Sequence, residues 1–110
     1  MSEYHCGNLA NDPELEAFVQ TVKPEAVLHL AGQASVAASW KDPSDTLESS
    51  VVASVNLFLT LRRASAPLRV FVDIGSAEEY APGDEMLTEE SPIEPSNPYG
   101  MGKVAQAHVL

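Results

Sequence analysis

The chain is 110 residues long, enough for one small domain, and its apolar fraction of 45% and charged fraction of 20% are typical of a globular protein. Its 16 acidic and 6 basic residues give a formal net charge of −10, which disfavours nucleic-acid and anionic-membrane partners. Cys6 is the single cysteine, so a disulfide framework is excluded and a cytoplasmic setting is expected. The longest apolar run, VNLFLTL, is too short to span a membrane, so we expect a soluble protein.

The first half of the chain predicts a helix followed by a strand. Asp12-Pro13 is typical of a helix start, and apolar residues at helical spacing predict a short amphipathic helix over about residues 13–22. The apolar run AVLHLAG, residues 26–32, predicts a buried strand. The following segment, residues 33–43, is predicted to be a loop.

The second half repeats this alternation. The apolar residues from Leu47 to Leu61 keep to one broad face and predict a long helix. RVFVDIG, residues 69–75, predicts a second strand, and residues 75–98 predict a long polar connection. Asn97-Pro98 then predicts the start of a last helix.

This order of elements indicates an α/β fold, specifically a parallel sheet with helices on both faces. Two strands alone do not make a stable open sheet. We therefore expect either that strands are missing or that a partner chain supplies them.

Small residues follow the first predicted strand, at the sheet end where ligands of α/β proteins collect. Leu30 leads into Ala31 and Gly32, which would let a flat ligand or a phosphate approach the backbone. A tight turn with no ligand is the alternative for these residues alone. His29 is expected to pack or to form a hydrogen bond, because no second metal ligand lies at a suggestive spacing.

Polar side chains follow the second predicted strand. The Ser76 hydroxyl could hydrogen-bond a substrate carbonyl or alcohol, and Glu78 could be a polar anchor or a general acid–base. Taken singly, a solvent-facing turn explains both residues as well. The acidic loop over residues 83–94 lacks the pattern of a calcium loop. We expect a solvated segment that could serve as a lid near the site.

Tyr99 and Lys103 lie four residues apart at the start of the last predicted helix, so they share one helix face. The positive charge of a lysine favours the phenolate form of a neighbouring tyrosine, which makes the tyrosine a usable proton donor or acceptor. The spacing alone is weak evidence, because it arises readily by chance. It gains weight because the helix begins after the strand and loop that carry Ser76.

From HLAG to PYGMGK, the chain resembles the extended short-chain dehydrogenase/reductase family of nucleotide-sugar epimerases, dehydratases and reductases. The shared elements are the strand end His-x-Ala-Gly, a helix with SVNLFLTLRRA, a strand ending in serine, and Pro-Tyr-x-x-x-Lys. The segment CGNL is similar to the family segment beside the cofactor's adenine. Within the family, GSAEEYAP and LTEESPIEPSNPYGMGK are closest to the GDP-6-deoxy-4-keto-mannose reductase and GDP-mannose 4,6-dehydratase branch.

The resemblance implies a partial Rossmann-type doubly wound parallel sheet with flanking helices that binds NAD or NADP. Its catalytic residues would be Ser76, Glu78, Tyr99 and Lys103, and its cofactor-binding residues Asn8, Leu9, Leu30, Ala31, Gly32, Tyr99 and Lys103. Tyr99 would be the acid–base, Lys103 would hold the nicotinamide ribose, and Ser76 would hydrogen-bond the reacting sugar oxygen. The serine at position 76 is typical of the reductases, whereas the glutamate at position 78 matches the catalytic glutamate of the dehydratases. The resemblance implies no metal, and the partners implied are a nucleotide sugar and, in a full-length form, a second copy of the chain.

The sequence departs from the family pattern in three places. The glycine-rich strand–helix unit is absent before residue 26, the substrate domain after the Tyr-Lys helix is absent, and Ser50 stands where an asparagine is common. We therefore expect residues 1–110 to be an incomplete NAD(P)-binding domain, an internal piece of a longer enzyme that binds dinucleotide poorly by itself. The alternatives are a dehydratase or epimerase of the same family, a non-catalytic truncated piece, and a ligand-binding α/β module in which Tyr99 is structural.

Overall fold

The computed structural model describes residues 2–110. The helices and strands are α1 Leu15–Val22, β1 Ala26–His29, α2 Val36–Lys41, α3 Pro43–Leu47, α4 Ala53–Arg63, β2 Val70–Asp73 and α5 Pro98–Val109. A π-helical turn, Glu48–Val52, joins α3 to α4, and a 3₁₀ turn, Ala77–Glu79, follows β2. Within the described residues, no helix has the length and apolar character needed to cross a membrane.

Side-chain caps explain most of the helix starts. Asp12 accepts a hydrogen bond from the Glu14 N–H at 2.9 Å in the turn before α1, so the helix begins slightly later than predicted. Asn97 accepts from the Gly100 N–H at 2.8 Å and Pro98 is the first residue of α5, as predicted.

The loop prediction for residues 33–43 was wrong in its middle part. The Ser35 hydroxyl accepts from the Ala38 N–H at 3.1 Å and caps α2, which the structure places over residues 36–41. Ser39 on this helix is fully buried and its hydroxyl donates to the Val36 carbonyl at 2.6 Å. The helix is only six residues long, so its apolar periodicity was too short to recognise in the sequence.

The two strands pair in parallel, as predicted. Their register places Ala26 opposite Val70 and His29 opposite Asp73, so both strands end at the same edge of the sheet. The chain returns from the first strand to the second through α2, α3 and α4. The fold class is therefore a mixed α/β unit with a parallel sheet and flanking helices, as expected.

The apolar core lies between one face of the sheet and the helices α1 and α4. Leu15 and Val19 of α1 meet Leu61 of α4, and all three are buried. Val27 and Phe71, one from each strand, pack against this cluster. The odd-numbered strand residues therefore form the covered face of the sheet.

The even-numbered strand residues form the opposite face, which is exposed in the described part of the chain. Leu28, Val70 and Val72 are 60%, 51% and 43% exposed. This differs from the expectation of helices on both faces, because the contacts that bury strand residues come from helices on the odd-numbered side. We call the even-numbered surface the open face.

Candidate functional site

A cleft of about 390 Å³ lies at the carboxyl end of β1. Its walls come from the N-terminal segment, the loop after β1, and the π-helical turn with the start of α4: Gly7, Asn8, Leu9, Ala31, Gly32, Gln33, Ser49 and Ala53. The structure therefore brings together four of the predicted cofactor residues. The other three predicted cofactor residues, Leu30, Tyr99 and Lys103, are not part of this wall, and Leu30 is exposed.

The backbone of the cleft depends on two glycines. Gly32 has a φ of 151°, a conformation that favours glycine. A Cβ at Gly7 would lie 2.1 Å from the Asp12 Oδ2 atom, so a side chain there would displace the Asp12 carboxylate, which is hydrogen-bonded to His5. The Gln33 N–H beside Gly32 donates to the Ser49 hydroxyl at 3.3 Å. These small residues leave room for a flat group, which fits part of a dinucleotide.

Ser76 is held by a capping box immediately after β2. Its hydroxyl accepts a hydrogen bond from the Glu78 N–H at 3.1 Å, and its own N–H donates to Glu79 Oε1 at 2.7 Å. The hydroxyl therefore acts as an acceptor toward the protein, and its own hydrogen remains available for donation. Ser-x-x-Glu is the sequence signature of a capping box, so the role of Glu79 was readable from the sequence although it was not predicted.

Helix α5 carries Tyr99 and Lys103 to the same edge of the sheet. The Lys103 side chain is buried, and its ammonium donates to the carbonyl of Ile74, directly after β2, at 2.9 Å. Tyr99 is half-buried in the first turn of the helix. The Lys103 ammonium is therefore bound to the backbone of a residue that precedes Ser76 by two positions, beside the end of the second strand.

Two glycines let α5 approach its neighbours closely. A Cβ at Gly100 would lie 2.2 Å from the Glu78 carbonyl oxygen, so the 3₁₀ turn and the first turn of α5 are in backbone contact. A Cβ at Gly102 would lie 3.2 Å from the Ser50 hydroxyl on the π-helical turn. This close packing fixes the tyrosine helix against the serine turn.

The Glu78 carboxylate is engaged by the cap of α5. Its Oε2 atom accepts from the Asn97 side-chain amide at 2.8 Å, and Asn97 itself is buried. No local sequence pattern indicated this contact, because the two residues are 19 positions apart.

A buried polar layer lies beneath the site, between the sheet and helices α4 and α5. His29 is buried and its Nε2 atom lies 2.8 Å from the Ser54 hydroxyl, while Gln106 donates to the Asp73 carboxylate. Burial lowers the pKa of His29, the nearby Lys103 charge lowers it further, and the Asp73 charge opposes this shift. The expectation that His29 forms a hydrogen bond within the fold is confirmed.

Position 50, where an asparagine is common in the family, lies on the π-helical turn. Ser50 is fully buried, and its hydroxyl has no hydrogen-bond partner within the described residues. Its backbone carbonyl accepts from the Ser54 hydroxyl at 2.5 Å. Across residues 2–110, no group of three or more His, Cys, Asp or Glu side chains is arranged to hold a metal ion.

A parallel α/β unit that gathers a serine turn and a Tyr-x-x-x-Lys helix at the carboxyl end of its sheet defines a Rossmann-type class of protein. The chain belongs to the NAD-dependent epimerase/dehydratase family, whose model matches residues 2–110. The resemblance inferred from the sequence motifs is thereby confirmed.

Similar proteins include both epimerases and a reductase. The chain is 34% identical over 94 residues to UDP-glucose 4-epimerase of Mycolicibacterium smegmatis, covering 86% of this chain and 30% of the relative. It is 35% identical over 85 residues to GDP-6-deoxy-D-mannose reductase of Pseudomonas aeruginosa, covering 74% of this chain and 28% of the relative. The chain therefore spans about 30% of the length of the curated relatives it matches.

Solved structures share the fold over nearly the whole chain. RMD of Pseudomonas aeruginosa, solved with NADPH, superposes with a TM-score of 0.86 and 27% identity, over 99% of this chain and 37% of that structure. UDP-glucose 4-epimerase of Thermus thermophilus, solved with NAD, gives a TM-score of 0.80 and 28% identity, over 93% of this chain and 33% of that structure.

Proposed function

We propose that these residues form the catalytic edge of an NAD(P)-dependent oxidoreductase that acts on a nucleotide sugar and reduces a GDP-linked 4-keto-6-deoxy sugar. The observation that carries the proposal is that α5, the helix of Tyr99 and Lys103, packs against the turn that begins at Ser76, while the Lys103 ammonium bonds the Ile74 carbonyl after β2. Ser76 and the likeness to GDP-6-deoxy-D-mannose reductase support a reductase.

The cofactor, NAD or NADP, would lie along the cleft at the end of β1. Asn8 and Leu9 would face its adenine end, and Ala31 and Gly32 would pass beneath it because they present little side chain. Lys103 would hold the nicotinamide ribose by donating to its hydroxyls. When bound, the nicotinamide supplies the hydride that the sugar carbon accepts.

The protein's own residues would handle the proton and the sugar oxygen. The Ser76 hydroxyl would donate to the carbonyl oxygen of the sugar and orient it. The Tyr99 hydroxyl would then deliver a proton to that oxygen as its charge develops. The Lys103 charge would stabilise the tyrosinate left behind.

Other members of the same family are the second candidates. A 4,6-dehydratase is favoured by the glutamate at position 78, and a 4-epimerase by the likeness to UDP-glucose 4-epimerases. A non-catalytic piece of a longer protein is the candidate from a different class. We also propose that a full-length form pairs as a homodimer through α4 and α5, both of which carry exposed apolar residues such as Leu59 and Met101.

A cofactor titration separates the oxidoreductase from the non-catalytic candidate. The chain is titrated with NADPH and with NADH while the nicotinamide fluorescence is followed. Saturable binding that weakens at least about tenfold in Lys103→Met supports the proposal, since the substitution removes a charged hydrogen-bond donor. Binding that is unchanged in Lys103→Met would contradict the assigned cofactor site, and absence of binding by the 110-residue chain would favour the non-catalytic candidate.

Turnover tests the role of Tyr99. NADPH oxidation by a full-length form is followed with a GDP-linked 4-keto-6-deoxy sugar as substrate. Tyr99→Phe should lower the rate by about 100-fold or more while leaving NADPH affinity within about twofold, because only the proton-transferring hydroxyl is removed. An undiminished rate of NADPH oxidation in Tyr99→Phe would contradict the proposed proton transfer by Tyr99.

A further inference from the structure

The side chain of Glu78 is exposed and is hydrogen-bonded to another residue of the site. Its Oε2 atom accepts a hydrogen bond from the Asn97 amide at 2.8 Å. The other side-chain atom of Asn97, Oδ1, accepts from the Gly100 N–H at 2.8 Å. Asn97 therefore uses both ends of its amide, one on the helix and one on the glutamate.

This contact joins the two segments that carry the proposed catalytic groups. Asn97 is the cap of α5, two residues before Tyr99. Glu78 belongs to the 3₁₀ turn that follows Ser76, and its own N–H donates to the Ser76 hydroxyl at 3.1 Å. A continuous chain of hydrogen bonds thus runs from the Ser76 hydroxyl through Glu78 and Asn97 to the first turn of α5.

Backbone packing holds the same junction. The Glu78 carbonyl oxygen lies where a Cβ on Gly100 would be, at 2.2 Å from that position. Asn97 is buried at the junction, so its amide would be costly to leave without a hydrogen-bond partner. The carboxylate of Glu78 therefore completes a junction that is already tightly packed.

We propose that Glu78 is a positioning residue. Its carboxylate accepts a hydrogen bond from the Asn97 side-chain amide and thereby holds the start of the Tyr99 helix against the Ser76 turn. Its consequence for turnover rests on the proposed function, whereas the structural coupling does not. The contact engages only the Oε2 atom of the carboxylate, so it orients Glu78 without removing it from acid–base chemistry.

An exchange of donor and acceptor tests the proposal. Asn97→Asp keeps an oxygen to cap Gly100 but loses the donor to Glu78 and places two carboxylates together. The double variant Asn97→Asp with Glu78→Gln restores the hydrogen bond with donor and acceptor exchanged and restores the net charge. Amide hydrogen exchange and the ¹H–¹⁵N spectrum of the 110-residue chain report on both sides of the junction, at Glu79 and Met101.

We expect exchange at these two amides to become about fivefold faster in Asn97→Asp, the factor that one net hydrogen bond supplies, and to return to within about twofold in the double variant. Their resonances should shift in the single variant and move back in the double. Glu78→Ala, which removes an exposed side chain, should reproduce the effect of Asn97→Asp even if the latter folds poorly. Ser96→Asp adds the same charge at an exposed neighbouring position and should change neither amide more than about twofold.

These readouts need neither cofactor nor turnover, so a failure of the proposed function leaves them unaffected. Single variants that leave both amides unchanged, or a double variant that does not recover, would overturn the coupling. Where NADPH oxidation is measurable, it should fall in Asn97→Asp and recover together with the exchange rates. Recovered exchange with turnover still lost would overturn the positioning role and return Glu78 to acid–base chemistry.

Discussion

The two faces of the sheet come from the same eight residues and differ in what covers them. The covered face carries Val27 and Phe71 but also the polar residues His29 and Asp73, whereas the open face is aliphatic throughout. The more apolar face is thus the exposed one. Continuous apolar runs are typical of parallel strands that are buried on both faces of a sheet. The strand sequences therefore predict a sheet with both faces covered, whereas helices within the described residues cover only one face.

The largest expected effect is on the covered side. Leu61 is 3% exposed and packs against Leu15 and Val19. Leu61→Ala should lower the free energy of unfolding by about 3 kcal/mol, because it removes buried methyl groups and leaves a cavity. Urea unfolding followed by circular dichroism measures the loss.

Leu59 on the same helix is the matched control. It is 39% exposed, so Leu59→Ala should cost less than about 1 kcal/mol. Equal losses for the two alanine variants would show that the core does not lie on the side of Leu61.

A pH dependence of intermediate size is expected from His29 on the covered face. Burial holds its pKa below the ordinary value of 6.5, so the unfolded chain binds more protons below that pH. The stability that the neutral imidazole contributes is fully present above about pH 6.5 and is lost as the pH falls through the lower folded-state value. The urea midpoint should therefore decrease between about pH 7.5 and about pH 5.5.

His29→Gln should flatten this dependence, because glutamine does not titrate. His108→Gln, at an exposed position of α5, should leave it unchanged. The depressed pKa of Asp12, caused first by its hydrogen bond with His5, acts in a separate window below its ordinary value of 3.8. An unaltered pH slope in His29→Gln would contradict the burial of a neutral imidazole.

The smallest effect is expected on the open face. Val72→Thr keeps the shape of the side chain at a position that is already solvated, so it should change the free energy of unfolding by less than about 0.5 kcal/mol. Val27→Thr makes the same substitution on the covered face and should cost about 1–2 kcal/mol, because the hydroxyl would face the apolar core. Similar costs at both positions would show that the two faces are equally covered.

Local sequence signals predicted the elements well. Asn97-Pro98 specified the start of α5 because a cap and the first helical φ angle are set by two adjacent residues. The apolar runs predicted both strands and their parallel pairing, and the order of Ser76, Tyr99 and Lys103 indicated the family. The six-residue helix α2 was missed, because its cap at Ser35 precedes too few residues to show a period.

The sequence by itself determined the alternation of helix and strand, the caps and the identity of the groups that follow each strand, because these depend on residues close together in the chain. Only the tertiary structure decided which sheet face is covered, that Leu30 lies outside the cleft at the end of β1, and that Glu78 is held by Asn97. These outcomes depend on contacts between distant segments. Such contacts depend on the close approach that Gly100 permits and on the register in which β1 pairs with β2, neither of which a local pattern encodes.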